Sequence, residues 1–157
     1  MKRFYLRTRM VRETAQELST YHHRVSVTLN TFGKDKIKLR KYVEKLICWL
    51  RRYCFGISFM KDELRLKAIG ATEVGTVNQG LHMHLVIGYE NSTTRNKQDI
   101  LNFIKRKWYA LHKMNIKFMK LKFHKLMDFR EIYDLTGSLM YLTKTIYHSH
   151  QFNLQYF

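Results

Sequence analysis

The chain has 157 residues, with 29 lysines and arginines against 12 acidic residues, which gives a formal net charge of +17. A chain of this length can form one domain with a buried core, and it contains no apolar run near the roughly 18 residues that a membrane span requires. The positive excess predicts a polyanionic partner. Nucleic acid is the favoured interpretation, and a ribosome-like or membrane-surface protein is the alternative.

The first third of the chain predicts a basic segment, a strand and a helix. The basic segment covers residues 1–20. Residues 24–31 alternate and are rich in β-branched side chains, which is typical of a strand. From residue 35 to about residue 54, apolar residues recur at helical spacing, which predicts an amphipathic helix.

The middle of the chain predicts a β-hairpin. Two strand-like stretches, residues 66–76 and 81–89, flank the sequence Val-Asn-Gln-Gly at residues 77–80. Asparagine and glycine at such a place are typical of a tight turn between antiparallel strands. We therefore expect the two strands to pair with each other.

The last part of the chain predicts a helix, a strand and a second helix. The first helix runs from about residue 96 to residue 112 and is basic and amphipathic. Apolar residues alternate with lysines over residues 116–125, which predicts a strand, and residues 131–147 predict the last helix. The complete order predicts an α+β fold, with helices packed on an antiparallel sheet within a single domain, residues 1–157.

Two histidines within the second hairpin strand form a candidate metal site. Side chains alternate along a strand, so His82 and His84 share one face while their apolar neighbours take the other. Glu73 lies on the partner strand and can complete the set. A two-residue loop would place Glu73 opposite His84 on the same face, whereas a three-residue loop would move Glu73 to the other face unless a bulge corrects the register.

Two imidazoles and a carboxylate suit Mg²⁺, Mn²⁺ or another divalent ion that also contacts a phosphate oxygen. A structural zinc site would need four closing ligands, and Cys48 and Cys54 do not supply them convincingly. The alternative is that His82 and His84 form hydrogen bonds within a polar sheet face.

A tyrosine on the last predicted helix is a candidate nucleophile. At about 100° per residue, Tyr141 and Lys144 lie near Gly137, away from the apolar stripe of the helix. A phenolate can attack phosphorus, and Lys144 can neutralise the charge that develops on the phosphate. The alternative is an ordinary tyrosine–lysine pair on a helix surface. The apolar stripe consists of Leu135, Leu139, Leu142 and Ile146.

These residues together resemble the HUH endonucleases, and especially the rolling-circle replication initiators (Rep proteins) of small plasmids and single-stranded DNA viruses. Residues 27–31 resemble the first motif of that family. Residues 69–75 with 80–87 resemble the second, and residues 141–144 resemble the third. The resemblance spans about residues 22–150.

The resemblance implies a central antiparallel sheet of about five strands with flanking helices, and metal-dependent nicking of single-stranded DNA. His82 and His84 would be metal ligands, with Glu73 as the third. Tyr141 would be the nucleophile that becomes linked to the 5′ phosphate, with Lys144 as its helper. The free 3′ hydroxyl would then prime DNA synthesis at a replication origin.

The chain departs from many Rep proteins in having no second tyrosine one helical turn after Tyr141, where Thr145 stands. This favours a single-tyrosine enzyme. The chain also lacks a nucleotide-binding P-loop, so we expect no helicase domain and a host helicase and polymerase as partners. The expected location is intracellular, in the cytoplasm of a host cell or in an organelle that carries a plasmid.

Several basic and aromatic residues are candidates for gripping DNA, although each of them can equally belong to a solvated charged face. Other interpretations are a single-strand transposase or a relaxase of the same superfamily, and a non-catalytic basic DNA-binding repressor. The candidate DNA-binding residues are Arg51, Arg52, Lys105, Arg106, Lys107, Trp108, Lys120 and Lys122.

Overall fold

The structure is a computed structural model of the chain. It describes residues 2–31, 33–56, 65–74, 80–91, 93, 95–119, 127–132, 134–143 and 154–157. The helices are α1 (Lys2–Ser19), α2 (Lys36–Phe55), α3 (Lys97–Met119) and α4 (Leu135–Leu142), and the strands are β1 (His23–Asn30), β2 (Leu66–Val74), β3 (Leu81–Tyr89), β4 (Met127–Glu131) and β5 (Leu154–Tyr156).

The five strands form one sheet in the order β4-β1-β3-β2-β5, and every neighbouring pair is antiparallel. The α+β fold with a central antiparallel sheet and flanking helices is therefore confirmed. The predicted hairpin forms the centre of this sheet as β2 and β3. Since β1 covers the free edge of β3, the histidine strand is paired along both of its edges.

Helices α2 and α3 pack on one face of the sheet. Every second residue of β1, starting at Val25, points into this layer, together with Met83 and Leu85 of β3. Trp108 of α3 is completely buried there, and its indole Nε1 donates a hydrogen bond of 3.0 Å to the carbonyl of Asn30. This layer holds the larger core of the molecule.

Helices α1 and α4 pack on the other face. Their apolar side chains, including Val11 and Leu139, meet Ile69, Ala71 and Val86 of the sheet in a second, smaller core. The sheet therefore lies between two helical layers. The histidine side chains belong to this second face, since they alternate with Met83 and Leu85.

Gly70 allows β2 and β3 to approach closely in the larger core. A Cβ atom at this position would lie 2.5 Å from Cδ2 of Leu85 and 2.9 Å from the carbonyl oxygen of His84. Any side chain would therefore push the two central strands apart, which explains a glycine within a strand.

The C-terminal half differs from the sequence prediction in two places. The prediction of a strand over residues 116–125 is wrong for residues 116–119, which belong to α3. No glycine or proline interrupts residues 97–119, so nothing stops the helix there. The next described strand is β4, and the last helix begins at Leu135 rather than at residue 131.

Helix α2 has a capping residue at each end. Asp35 caps its N-terminus by accepting hydrogen bonds from the backbone amides of Ile37 and Lys38, and Gly56 ends it with a φ of 73°. Cys54 faces the core, whereas Cys48 is exposed. No helix in the described part of the chain is long and apolar enough to cross a bilayer.

Candidate metal and tyrosine site

The pairing of β2 with β3 sets the position of Glu73. Glu73 is directly opposite His82, and Ala71 is opposite His84. The pairing of Glu73 with His84 expected for a two-residue loop is therefore wrong by two residues. A shift of two residues preserves the face of each side chain, so Glu73 still lies on the histidine side of the sheet.

Glu73, His82 and His84 form a compact cluster, called here the metal-ligand trio. The Oε2 atom of Glu73 is 3.3 Å from Nε2 of His82 and 3.1 Å from Nε2 of His84. One potential ligand atom from each residue lies within 4.8 Å of the other two. The three side chains are only 15–23 % exposed. Two imidazole nitrogens and a carboxylate at such spacing can hold a divalent cation.

Thr28 of β1 supports one member of the trio. It is paired with His84 across the sheet, and its Oγ1 lies 2.9 Å from Nδ1 of the imidazole. This hydrogen bond fixes the ring so that Nε2 points toward Glu73. Histidine ligands of metals are generally oriented in this way by a partner of the second ring nitrogen. Thr28 lies in the stretch that resembles the first family motif, but no sequence pattern indicates its role.

Tyr141 of α4 lies beside the trio. Its ring meets the ring of His84 edge to face, with centroids 5.2 Å apart and planes at 84°. Tyr141 is 51 % exposed, whereas Leu139 and Leu142 of the same helix are buried. The helix therefore turns its apolar stripe into the second core and leaves the phenol at the surface, next to a candidate ligand.

A cleft of about 550 Å³ opens between α4 and the sheet at this point. Its polar lining offers hydroxyl, amide and carboxylate groups close to the phenol. A larger groove of about 710 Å³ lies between α1 and α4, but none of the trio lines it. The smaller cleft is lined by Ser26, Thr28, Asn30, His84, Asp128, Asp134, Gly137, Ser138, Tyr141 and Leu142.

Helix α1 holds the C-terminal end of the tyrosine helix. Nε of Arg7 donates a hydrogen bond of 2.9 Å to Oγ1 of Thr143, and its Nη2 donates to the carbonyl of Met140. A cation at this end of a helix also complements the helix dipole. No sequence pattern indicates this contact, since residues 7 and 143 are far apart in the chain.

One candidate DNA-binding residue is excluded by its burial. Trp108 has no accessible surface and its indole nitrogen is hydrogen-bonded to Asn30, so it cannot stack on a base. The prediction for Trp108 is therefore wrong. Its basic neighbours suggested a surface position, but Trp108 lies on the apolar side of α3, together with Ile100 and Ile104.

The five remaining DNA-binding candidates that the structure describes fall into two groups. Arg51 is half-buried and donates a hydrogen bond of 3.1 Å to the carbonyl of Leu66, so it ties α2 to β2. Arg52 and the basic candidates of α3 lie in the α2–α3 layer, on the opposite side of the sheet from the trio. The α3 candidates are Lys105, Arg106 and Lys107; Lys120, Lys122 and Lys144 lie outside the described residues.

Comparisons of the chain with protein-family models, with curated proteins and with solved structures found no match. The resemblance to HUH endonucleases therefore stays a prediction from three short motifs. The fold itself brings together a trio suited to a divalent cation, a threonine that orients one ligand, and a solvent-accessible tyrosine against that ligand.

Proposed function

We propose that the protein is a metal-dependent, single-tyrosine nickase and ligase of single-stranded DNA that initiates rolling-circle replication. The observation that carries the proposal is the edge-to-face contact of Tyr141 with His84. A tyrosine on a helix surface is common, and so are two histidines on one face of a strand. Their contact beside Glu73, in a chain of net charge +17, favours phosphoryl transfer on a nucleic acid.

The proposed reaction is an attack by Tyr141 on a backbone phosphate of the bound strand. Its Oη loses a proton and forms a bond to phosphorus, while the bond from phosphorus to the 3′ oxygen of the preceding nucleotide breaks. That oxygen takes up a proton and becomes a free 3′ hydroxyl. The downstream strand stays attached to the protein as a 5′-phosphotyrosine ester, which the 3′ hydroxyl can attack in reverse to rejoin the strand.

The other residues of the site position the reacting groups and offset the negative charge of the phosphate. A divalent cation, Mg²⁺ or Mn²⁺, would polarise a phosphate oxygen when bound by the trio. Thr28 orients His84, and the packing of α4 keeps the phenol at the mouth of the cleft. Lys144 is proposed, from its place in the sequence alone, to neutralise negative charge on the phosphate.

The experiment exposes the protein, with Mn²⁺, to a pool of single-stranded oligonucleotides of random sequence. We expect a covalent adduct that survives SDS and carries a label from the 3′ end of the DNA but not from the 5′ end. Tyr141→Phe should abolish the adduct and keep the ring contact with His84. Tyr156→Phe, which changes a similarly exposed tyrosine of β5, should have no effect.

The outcomes separate the competing interpretations. An adduct formed by Tyr141→Phe would overturn the assignment of the nucleophile. Binding of single strands with no adduct under any ion would favour the repressor. The sequence enriched among the trapped oligonucleotides can then be located in natural DNA. Its occurrence in a replication origin, a transposon end or a transfer origin would distinguish an initiator from a transposase or a relaxase.

A further inference from the structure

The positive charge of the molecule is concentrated in the helical layer that faces away from the candidate site. Helices α2 and α3 contain 13 of the 29 basic residues but only two of the 12 acidic ones, Glu44 and Asp99. Both helices pack on the sheet face opposite the metal-ligand trio. The nicking chemistry proposed above therefore makes no use of most of this charge.

Four of the seven cations of α2 form a straight row, called here the α2 stripe: Lys38, Lys41, Lys45 and Arg52. At about 100° per residue they fall within about 60° of one another around the helix axis, and all four are exposed. They extend over about 21 Å along the axis at 1.5 Å per residue. Such a row of cations can contact several charges of an extended polyanion at once.

Aromatic rings at the seam between α2 and α3 hold further cations in place. Lys45 and Lys107 lie over the ring of Trp49, at 4.9 Å and 5.0 Å from its centroid. Arg95 lies 4.5 Å from the ring of Tyr53, whose other contact is stacking on Phe103 at 4.2 Å. The rings are half-buried and covered by cations, so they anchor positive charge rather than offer a free face to a base.

This pattern distinguishes between possible anionic partners. A single strand is normally bound through exposed rings on which its bases stack, whereas the rings of Trp49 and Tyr53 in this layer are half-buried and covered by cations. An amphipathic helix at a membrane surface has an apolar face beside its cations. Among the residues of α2, and of α3 up to residue 113, Ile37 is the one large apolar side chain that is strongly exposed. Both observations favour the phosphate backbone of a duplex.

We propose that the α2–α3 layer is a second nucleic-acid-binding surface, separate from the tyrosine site, which holds the backbone of a duplex without reading its sequence. The α2 stripe and Lys107 supply the phosphate contacts. Bound in this way, a duplex lies on one side of the sheet while the tyrosine and the trio act on the other. The surface would therefore bind double-stranded nucleic acid, a function separate from the proposed nicking of a single strand.

The test measures binding of a 20-base-pair DNA duplex of arbitrary sequence by fluorescence anisotropy, in EDTA, as a function of salt. The stripe variant Lys38→Gln/Lys41→Gln/Lys45→Gln is compared with Arg9→Gln/Arg12→Gln/Arg24→Gln, which removes the same charge on the α1 side. Each lost phosphate contact should reduce the slope of log K against log salt by about 0.9. We expect a reduction of about 2.7 for the stripe variant, with affinity lower by roughly tenfold or more at 100 mM salt, and little change for the control.

Two results would overturn the proposal. Equal losses of duplex affinity in the two variants would show that net charge alone drives binding. A stripe variant that keeps duplex affinity but loses binding to vesicles of anionic phospholipid would assign the layer to a membrane instead. Unfolding transitions equal to that of the wild type would establish that both variants are folded. Because no metal is present and no strand is cut, a failure of the nicking proposal leaves this result unaffected.

Discussion

At the scale of single residues, the hydroxyl of Thr28 can serve the candidate site in two chemical states. Without an ion, Nε2 of His84 can donate to Glu73, and Nδ1 then accepts a hydrogen bond from Thr28. When Nε2 gives its lone pair to a cation, Nδ1 carries the proton and donates it to the same hydroxyl. A hydroxyl fits both states because it both donates and accepts.

This dual role predicts the effect of Thr28→Val, which has a similar shape but no hydroxyl. We expect Mn²⁺ affinity, measured by calorimetry, to fall by about tenfold to a hundredfold, the usual effect of losing the partner of a metal-ligating histidine. Thr28→Ser should restore most of the affinity. Ser26→Ala, two residues along the same face of β1, is the matched control. Unchanged affinity in Thr28→Val would show that the hydroxyl does not orient His84.

The sequence was sufficient to select His82, His84 and Tyr141 as candidates, because alternation along a strand and rotation along a helix determine which side chains share a face. The face of Glu73 depended on the length of the loop between β2 and β3, which the sequence left open. Nor was the sequence sufficient to give the partner of each side chain. Trp108 was misplaced for this reason. A tryptophan within a run of lysines and arginines suggests a surface, but its position on the helix relative to the core decides its burial.

At the scale of elements, the tyrosine helix depends on its neighbours. Helix α4 has eight residues, and a helix this short is marginal in water without tertiary contacts. Its C-terminal end is held by Arg7 through Thr143 and the carbonyl of Met140. Tyr141 lies between these two anchored residues, so the position of its ring depends on a side chain of α1.

Arg7 is therefore predicted to be a positioning residue for the tyrosine. Arg7→Ala should slow formation of the covalent adduct by about tenfold to a hundredfold, since small misplacement of a reacting group has costs of this size. Mn²⁺ affinity should stay within about twofold, because the trio lies on the sheet. Arg9→Ala, an exposed arginine of the same helix paired with Glu13, should retain the wild-type rate.

A purely structural role for Arg7 would give a different result. Arg7→Ala would then lower the unfolding temperature and the Mn²⁺ affinity together, and lowering the assay temperature would restore the wild-type rate of adduct formation. Arg7→Lys supplies one donor group in place of the forked guanidinium. We expect it to restore part of the rate, because it can reach one of the two acceptors but not both.

The elements that the sequence identified best are those whose pattern repeats over many residues, such as α2 and the strands β2 and β3. Helix α1 was treated only as a basic segment, although Val11, Ala15 and Leu18 recur at helical spacing. Strand β5 has three residues, too few for a periodic pattern. Its existence depends on pairing with the edge of β2, which is a tertiary contact.

At the scale of the whole molecule, a buried histidine in the larger core couples folding to pH. His112 is 2 % exposed, and its Nδ1 lies 3.0 Å from the carbonyl of Trp108. Burial, opposed by this hydrogen bond and assisted by nearby Lys38, lowers the pKa of His112. In the unfolded chain the pKa returns to about 6.5. The unfolded state therefore binds more protons as the pH falls below about 6.5, and the free energy of unfolding decreases.

The prediction is that His112→Leu makes the protein less sensitive to acid. Between pH 7.5 and pH 5.5 the wild-type free energy of unfolding, measured with urea, should fall more than that of the variant, by at most about 1.4 kcal/mol per pH unit from this group. Above about pH 8, where His112 is deprotonated in both the folded and the unfolded state, its contribution to the pH dependence should vanish. His22→Gln, which changes an exposed histidine, should keep the wild-type pH dependence. Equal pH dependence in all three proteins would contradict the prediction.

The two cysteines of α2 differ in a way that has a practical use. Burial raises the pKa of the Cys54 thiol to about 11, so hardly any thiolate is present there at neutral pH, whereas Cys48 is exposed. A maleimide dye should therefore attach to Cys48, close to the row of cations on the same helix. A change in the fluorescence intensity or polarisation of that dye would then measure duplex binding. No engineered cysteine would be needed, because Cys48 is part of the natural sequence.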